Sequence, residues 1–367
     1  MTTCAKTVRL AALDCLTPFG DRVSTHEALL AGRSALRPVP VLGCQGGEPV
    51  PMALLPGRAL DESVPPAWLL PVSRLLEPVR DSSWGTARRP VCVASSNFGV
   101  GSLHTYVRTQ DEGALATCTP ERSVAAFRQM MGWGGHVAIF SHACVSAHIA
   151  LLHASQLVWS GAADEALVFC FDFLSPFVAG GFHALKILNG AMPAPYQARD
   201  TGAIGLGDGA AYAVVTRDRG DFEVVAQSVH NEMHHVTSND PSGAGFDAVL
   251  GGLGLAGGNV WFKGHGTGTL EAGRLECSAI ARRFPGAPIV GWKGALGHTL
   301  GSCGLVELAL AAEAVRSGRT PGCVGSSTPT FVPEVSVQPF DNRSFDGVVC
   351  SSNAFGGAHA SLLLRHA

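Results

Sequence analysis

The spacing of apolar residues switches repeatedly between short continuous runs and helical periods. Val137–Phe140 is a brief apolar run and predicts a buried strand. From Val145 the period lengthens. Ile149, Leu152, Gln156 and Trp159 recur at helical spacing with Ala and Leu between them, so a mostly buried helix follows. Further apolar runs predict strands over 7–13, 91–95, 166–170, 210–216, 259–263, 288–292, 348–351 and 361–364. Helices are predicted over 26–31, 182–188, 275–283 and 302–317, and Thr119-Pro120-Glu121 has the cap and first-turn proline of another. Residues 37–78 are rich in Pro and Gly with little periodicity and predict an irregular surface excursion. Strands alternate with helices on both sides of a briefly charged stretch at 217–220. This predicts a layered α/β fold of two halves, 1–217 and 218–367, around buried central sheets.

Composition adds limits. Of 367 residues, 46% are hydrophobic and 15% charged, so a large core is buried. A formal net charge of -3 gives no electrostatic case for nucleic acid or an anionic membrane. No apolar stretch is long enough to span a bilayer, and the opening MTTCAKTVRLAALDC lacks a signal-peptide pattern, so a cytoplasmic location is expected. Eleven cysteines are scattered with no Cys-x-x-Cys pair, which reads as reduced thiols. Gly252, Gly254 and Gly257 satisfy G-x-G-x-x-G, but a strand follows where a dinucleotide site needs a helix.

Candidate chemistry starts at Cys144, at the junction of the 137–140 strand and the following helix. Free amides and the helix dipole there favour an anion, which is expected to lower the thiol's pKa. The alternative is one more buried cysteine. Three other glycine-rich stretches hold polar residues: KGHGTGT with His265, GWKGALGHTLGSCG with Lys293 and His298 leading into the helix of Glu307, and SSNAFGGAH at 351–359. Either histidine alone could be structural; a cysteine and two histidines all in glycine loops at element ends point to one site.

The chain resembles the β-ketoacyl synthases of the thiolase superfamily. ALLAGRSAL near Ala28, HACVSAH, RDTGAIGLGDGAA, HHVTSNDP, GHGTGT, KGALGHTLGSCGLVE and NAFGG fall in family order over nearly the whole chain. The resemblance implies a thiolase-like fold, two similar βαβαβ-type halves in five αβαβα layers. It implies Cys144 as the acylated nucleophile, His265 and His298 as the paired histidines, and Lys293 with Glu307 as its ion-pair partner. Phe355 would join Cys144 in an oxyanion hole, and Thr237, Thr267 and Thr269 would line a pantetheine channel. No cofactor or metal is implied; substrates would ride on the phosphopantetheine of acyl carrier protein. A dimer is expected, with itself or a related subunit, through pairing of the 166–170 strand.

These residue types suit decarboxylative condensation. A thiol parks an acyl group, and neutral histidines donating N–H can hold the enolate left when a malonyl thioester loses CO₂. Some positions depart from the family pattern. NAFGGAH is two residues shorter than usual, His359 stands where Asn is common, and His142 and His148 flank the nucleophile. Two other readings remain open: a chain-length-factor-like partner subunit, which usually lacks the nucleophile, and a thiolase using coenzyme A, which expects a second catalytic cysteine. A zinc site from His230, His234 and His235 is a further option, without a ligand-spaced cysteine or carboxylate pair beside it.

Overall fold

Ten strands build one continuous sheet, and their order repeats itself. In this computed structural model, which describes residues 2–4, 7–41, 49–60, 66–255 and 257–367, the first five are β1 (Val8–Leu16), β2 (Val91–Ala94), β3 (Val137–Phe140), β4 (Glu165–Asp172) and β5 (Gly209–Thr216). They lie in the order β1-β5-β4-β2-β3. The next five are β6 (Phe222–Asn231), β7 (Val260–Lys263), β8 (Ile289–Val290), β9 (Gly347–Ala354) and β10 (Ala358–His366), in the order β6-β10-β9-β7-β8. Both sets run first, fifth, fourth, second, third, with two antiparallel pairings and then two parallel ones. Short antiparallel pairing of β1 with β6 joins them, Phe222 opposite Leu10. Thr2–Cys4 adds a further strand beside β6.

The helices named below are α1 (Val100–Thr109), α2 (Pro120–Met131), α3 (Ser146–Ser160), α4 (Pro176–Ala184), α5 (Ala244–Gly251), α6 (Leu270–Arg283), α7 (Lys293–Leu296) and α8 (Cys303–Ser317). α3 and α8 are apolar nearly all round, and they pack on each other and on strands of both sets. A helix apolar on every side belongs in a core. α2 covers the far side of the first set with Val124, Phe127 and Met131, and α5 covers β6 and β10 of the second. The outcome is five layers, helix–sheet–helix–sheet–helix, with mixed α/β character.

Several sequence expectations need correction. Residues 37–78 are not a surface excursion. Val50–Ala53 is a wholly buried strand between Arg37–Val39 and Leu206–Gly207, and Trp68, Val72 and Leu76 are core residues. Trp68 stacks on Phe173 at 5.1 Å, which explains a Pro-rich segment that turns inward; residues 42–48 and 61–65 of it lie outside the described residues. The helix expected over 182–188 is instead α4, started by Ser175, whose hydroxyl accepts from the Val178 N–H, with Pro176 in its first turn. β6 was not anticipated, because Gln227 and Ser228 are polar yet buried and hide its pattern. The 166–170 run cannot be a dimer edge either, since β4 is hydrogen-bonded to β2 on one side and β5 on the other. The open edge of the first set is β3, which pairs with β2 and exposes Ile139.

Candidate active site

Cys144 sits in the tight passage from β3 to α3. Ala143 just before it takes a left-handed φ of 45°, a conformation a non-glycine residue adopts at some expense, and this turns the nucleophile out of the strand direction. The Ser146 hydroxyl braces the turn, accepting from the His142 N–H at 2.7 Å and donating to the Ala143 carbonyl at 2.7 Å. His142 itself is exposed, and His148 is buried behind the turn, so neither lines the cavity in front of Cys144.

Two loops from the second half meet this turn. His298 leaves α7 on a glycine stretch and brings Nε2 to 3.0 Å from the Cys144 sulfur. His265 follows the end of β7, its ring 5.0 Å from that of His298 at 87°. The sulfur and one nitrogen of each ring lie within 4.8 Å of one another, a set that could also hold a thiophilic ion such as zinc. Among the described residues His230, His234 and His235 form no such cluster. A cavity of about 290 Å³ opens onto the three side chains, lined also by Thr237, Thr267, Thr269 and Phe355. The Phe355 N–H donates toward the Cys144 sulfur, and its ring lies against Phe182 at 6.3 Å.

Burial dominates the electrostatics. It pushes the Cys144 thiol well up, with Cys303 and Asp172 adding to it and only Lys293 and the Phe355 N–H opposing. The expected lowering by the helix terminus is therefore outweighed; the resting group is a thiol, and His298 Nε2 is the atom placed to take its proton. Burial also drives His265 and His298 far below the usual imidazole range, helped by Lys293, so both are neutral near pH 7. Lys293 Nζ reaches Glu307 at 2.8 and 2.9 Å and the His265 carbonyl at 2.7 Å.

Three supporting carboxylates escaped notice in the sequence. Glu276 of α6 accepts from the His265 N–H at 2.6 Å, the Gly266 N–H at 3.2 Å and the Tyr196 hydroxyl at 2.7 Å, fixing the His265 loop. Its spacing after GHGTGT on an amphipathic helix was the available signal. Asp172, at the end of β4, gathers Ser95 Oγ and the N–H groups of Ser96, Asn97 and Ser302 at 2.8 to 3.1 Å. Burial raises its carboxyl to about 7 against those donors. Glu232 pairs with the unusual His359 at 3.2 Å and accepts from the Asp240 N–H, tying together the two loops that carry Thr237 and Phe355.

A sequence profile described as "Beta-ketoacyl synthase, C-terminal domain" matches residues 222–326. The 3-oxoacyl-[acyl-carrier-protein] synthase 2 of Coxiella burnetii is 25% identical over 97% of this chain and 98% of its own length. Residues 222–326 thus resemble the C-terminal domain of the β-ketoacyl synthases, and the whole chain is similar in length and order to one of them. The tetracenomycin polyketide synthase ketoacyl synthase alpha subunit of Streptomyces glaucescens is 27% identical over 64% of this chain and 61% of its own length. In three dimensions the chain superimposes on the ishigamide ketosynthase/chain length factor with a TM-score of 0.81, at 18% identity, covering 99% of this chain and 100% of the other. That likeness establishes the thiolase-like ketosynthase fold.

Proposed function

We propose that this protein condenses an acyl group held on Cys144 with a malonyl unit on acyl carrier protein, releasing CO₂ and giving a β-ketoacyl product. The observation that carries the reading is the Cys144 sulfur 3.0 Å from His298 Nε2, with His265 beside it, at the end of a cavity open to threonines. His298 takes the thiol proton as sulfur attacks the acyl thioester, and the departing carrier thiolate recovers that proton. The malonyl C–C bond then breaks, CO₂ leaves, and its electron pair forms an enolate whose oxygen meets the N–H of neutral His265 and that of His298 once its neutral ring has moved its proton from Nδ1 to Nε2. The enolate carbon attacks the acyl-Cys144 carbonyl. Its oxyanion faces the backbone amides of Cys144 and Phe355, and collapse expels the Cys144 thiolate, which takes a proton from water entering the cavity.

No cofactor enters these steps. Lys293 and Glu307 hold His265 through its carbonyl, and the three threonines would accompany the phosphopantetheine arm. The open β3 edge suits a second copy or a related subunit. The chemistry would serve fatty acid, polyketide or polyene assembly, and we place it in the cytoplasm; no described helix is long and apolar enough to cross a membrane. A thiolase reading lacks support, since Cys303 and Cys350 are fully buried and Cys144 is the cysteine on the cavity. The test is incubation with acyl and then malonyl carrier protein, read by intact mass. An acyl adduct on Cys144 followed by a β-ketoacyl carrier product is expected. Condensation of free coenzyme A thioesters without CO₂ release would refute the proposal.

A further inference from the structure

Beneath the histidines lies a second lysine that the sequence reading left without a role. Lys263 ends β7 and is wholly buried; its ammonium is ion-paired with Glu307 and donates to the Ser351 carbonyl at 3.3 Å. Glu307 thus serves two ammonium groups, those of Lys263 and Lys293, and all three side chains are almost completely enclosed. The neighbouring buried acids are engaged elsewhere: Glu276 with Tyr196 and two amides, Asp172 with Ser95 and three amides. His148 from α3, His265 from the β7 loop and His298 from the α7 loop all face the pair of lysines and are held neutral, chiefly by burial. The thiols of Cys303 on α8 and Cys350 on β9, which also face Lys263, are raised by burial and stay protonated. A second buried ammonium adds desolvation that an apolar residue would avoid, so stability does not account for it.

We propose that Lys263 is a positioning residue for the condensing site: it turns the Lys293–Glu307 pair into a bridged cluster of net charge +1 beneath Cys144. The inference rests on the function proposed above for what the charge serves. A fixed positive charge there favours the anions the reaction must host, the Cys144 thiolate and the malonyl carboxylate, and it keeps both imidazoles in the neutral, N–H-donating form. Lys293 alone with Glu307 would leave that position neutral.

The experiment reads the charge without needing turnover. Iodoacetamide alkylation of Cys144, followed by intact mass from pH 6 to 10, is compared in wild type, Lys263→Met and Lys263→Arg. The Met variant should shift the rate–pH profile upward by about one unit, or alkylate about tenfold more slowly at a fixed pH. That is the size of one unit charge acting across a layer of side chains at an effective dielectric of about 20. Arg should restore most of the rate. A profile that does not move in a folded Met variant, with only its unfolding midpoint lowered, overturns the proposal and marks Lys263 as structural. Should Met fail to fold, NMR of the wild type carrying ¹³Cε-lysine decides: two charged, slowly exchanging ammonium groups at pH 8 support the cluster, and a neutral amine at either overturns it. If alkylation shifts as expected but no condensation occurs, the function fails and the charge assignment stands.

Discussion

Removing Glu276 tests how far His265 depends on its support. In Glu276→Ala the His265 and Gly266 amides and the Tyr196 hydroxyl lose their acceptor together. The amides are fixed by the chain, and the Tyr196 ring is enclosed by Gly264, Gly266 and Gly291, so none can turn away to another partner. Each buried, unsatisfied donor costs about 1–3 kcal/mol, so a loss of roughly 3–6 kcal/mol is expected from the lower part of that range. Such a loss is a large share of an ordinary stability of about 5–15 kcal/mol. Tyr196→Phe removes the donor together with its bond and leaves both amides satisfied, so it should cost only about 1 kcal/mol. Denaturant unfolding measures both variants, and CO₂ release from malonyl carrier protein measures the site. A shift of His265 by about 1 Å is enough for a roughly 10²-fold loss, so Glu276→Ala should lose CO₂ release far more than it loses Cys144 acylation, provided unfolding is corrected for. If Glu276→Ala is destabilised by less than about 1 kcal/mol and releases CO₂ at the wild-type rate, the reasoning about this carboxylate is refuted.

Two further outcomes follow from packing and titration. A Cβ on Gly207 would stand 2.0 Å from the Leu296 carbonyl oxygen, and Gly207 N–H donates to the His298 carbonyl, so Gly207→Ala should cost at least about 1–3 kcal/mol and displace His298, read as a lower melting temperature with slower acylation. Acid should destabilise the fold below about pH 6.5. His148 is lowered to about 3, and His26, His265 and His298 are lowered too, so the unfolded chain holds protons there that the folded one does not, and stability falls as pH drops. Asp172, raised to about 7, works in the opposite sense between about pH 4 and 7 but is one group against those four and His359, which burial lowers as well. A group that is charged in the unfolded chain and neutral in the folded one contributes at most about 1.4 kcal/mol per pH unit, so the unfolding free energy should be lower at pH 5 than at pH 7; equal values would contradict neutral burial of the histidines.

Much of the site was legible because its chemistry lies at element ends, where glycine loops mark close approach. Cys144 at a change of hydrophobic period, and His265 and His298 just beyond apolar runs, needed only local pattern to find. The α/β alternation and the helices α3 and α8 were visible for the same reason. What stayed hidden depends on tertiary neighbours. Lys263 reads as the polar end of an apolar strand until Glu307, 44 residues away in sequence, is seen beside it. Glu276 and Asp172 look like ordinary acids until their backbone donors converge on them. A uniformly apolar strand such as 166–170 looks in sequence like an edge that needs a partner chain. β4 is apolar because it already has neighbours on both sides, while the true edge, β3, is short and partly exposed. The direction of the thiol's pKa is hidden from the sequence because a helix terminus is local, whereas burial is a property of the whole site.

The division of labour between the cysteine and the histidines is tested most directly by measuring acylation and CO₂ release side by side in Cys144→Ala, His265→Ala and His298→Ala. Cys144→Ala should gain no acyl mass yet still release CO₂ from malonyl carrier protein, because both enolate donors remain. His265→Ala, whose nitrogen is not hydrogen-bonded to the sulfur, should gain acyl mass and lose CO₂ release by about 10² or more. His298→Ala removes the group 3.0 Å from the sulfur and should lose both. A His265→Ala protein that releases CO₂ normally but cannot be acylated would contradict the account at its centre.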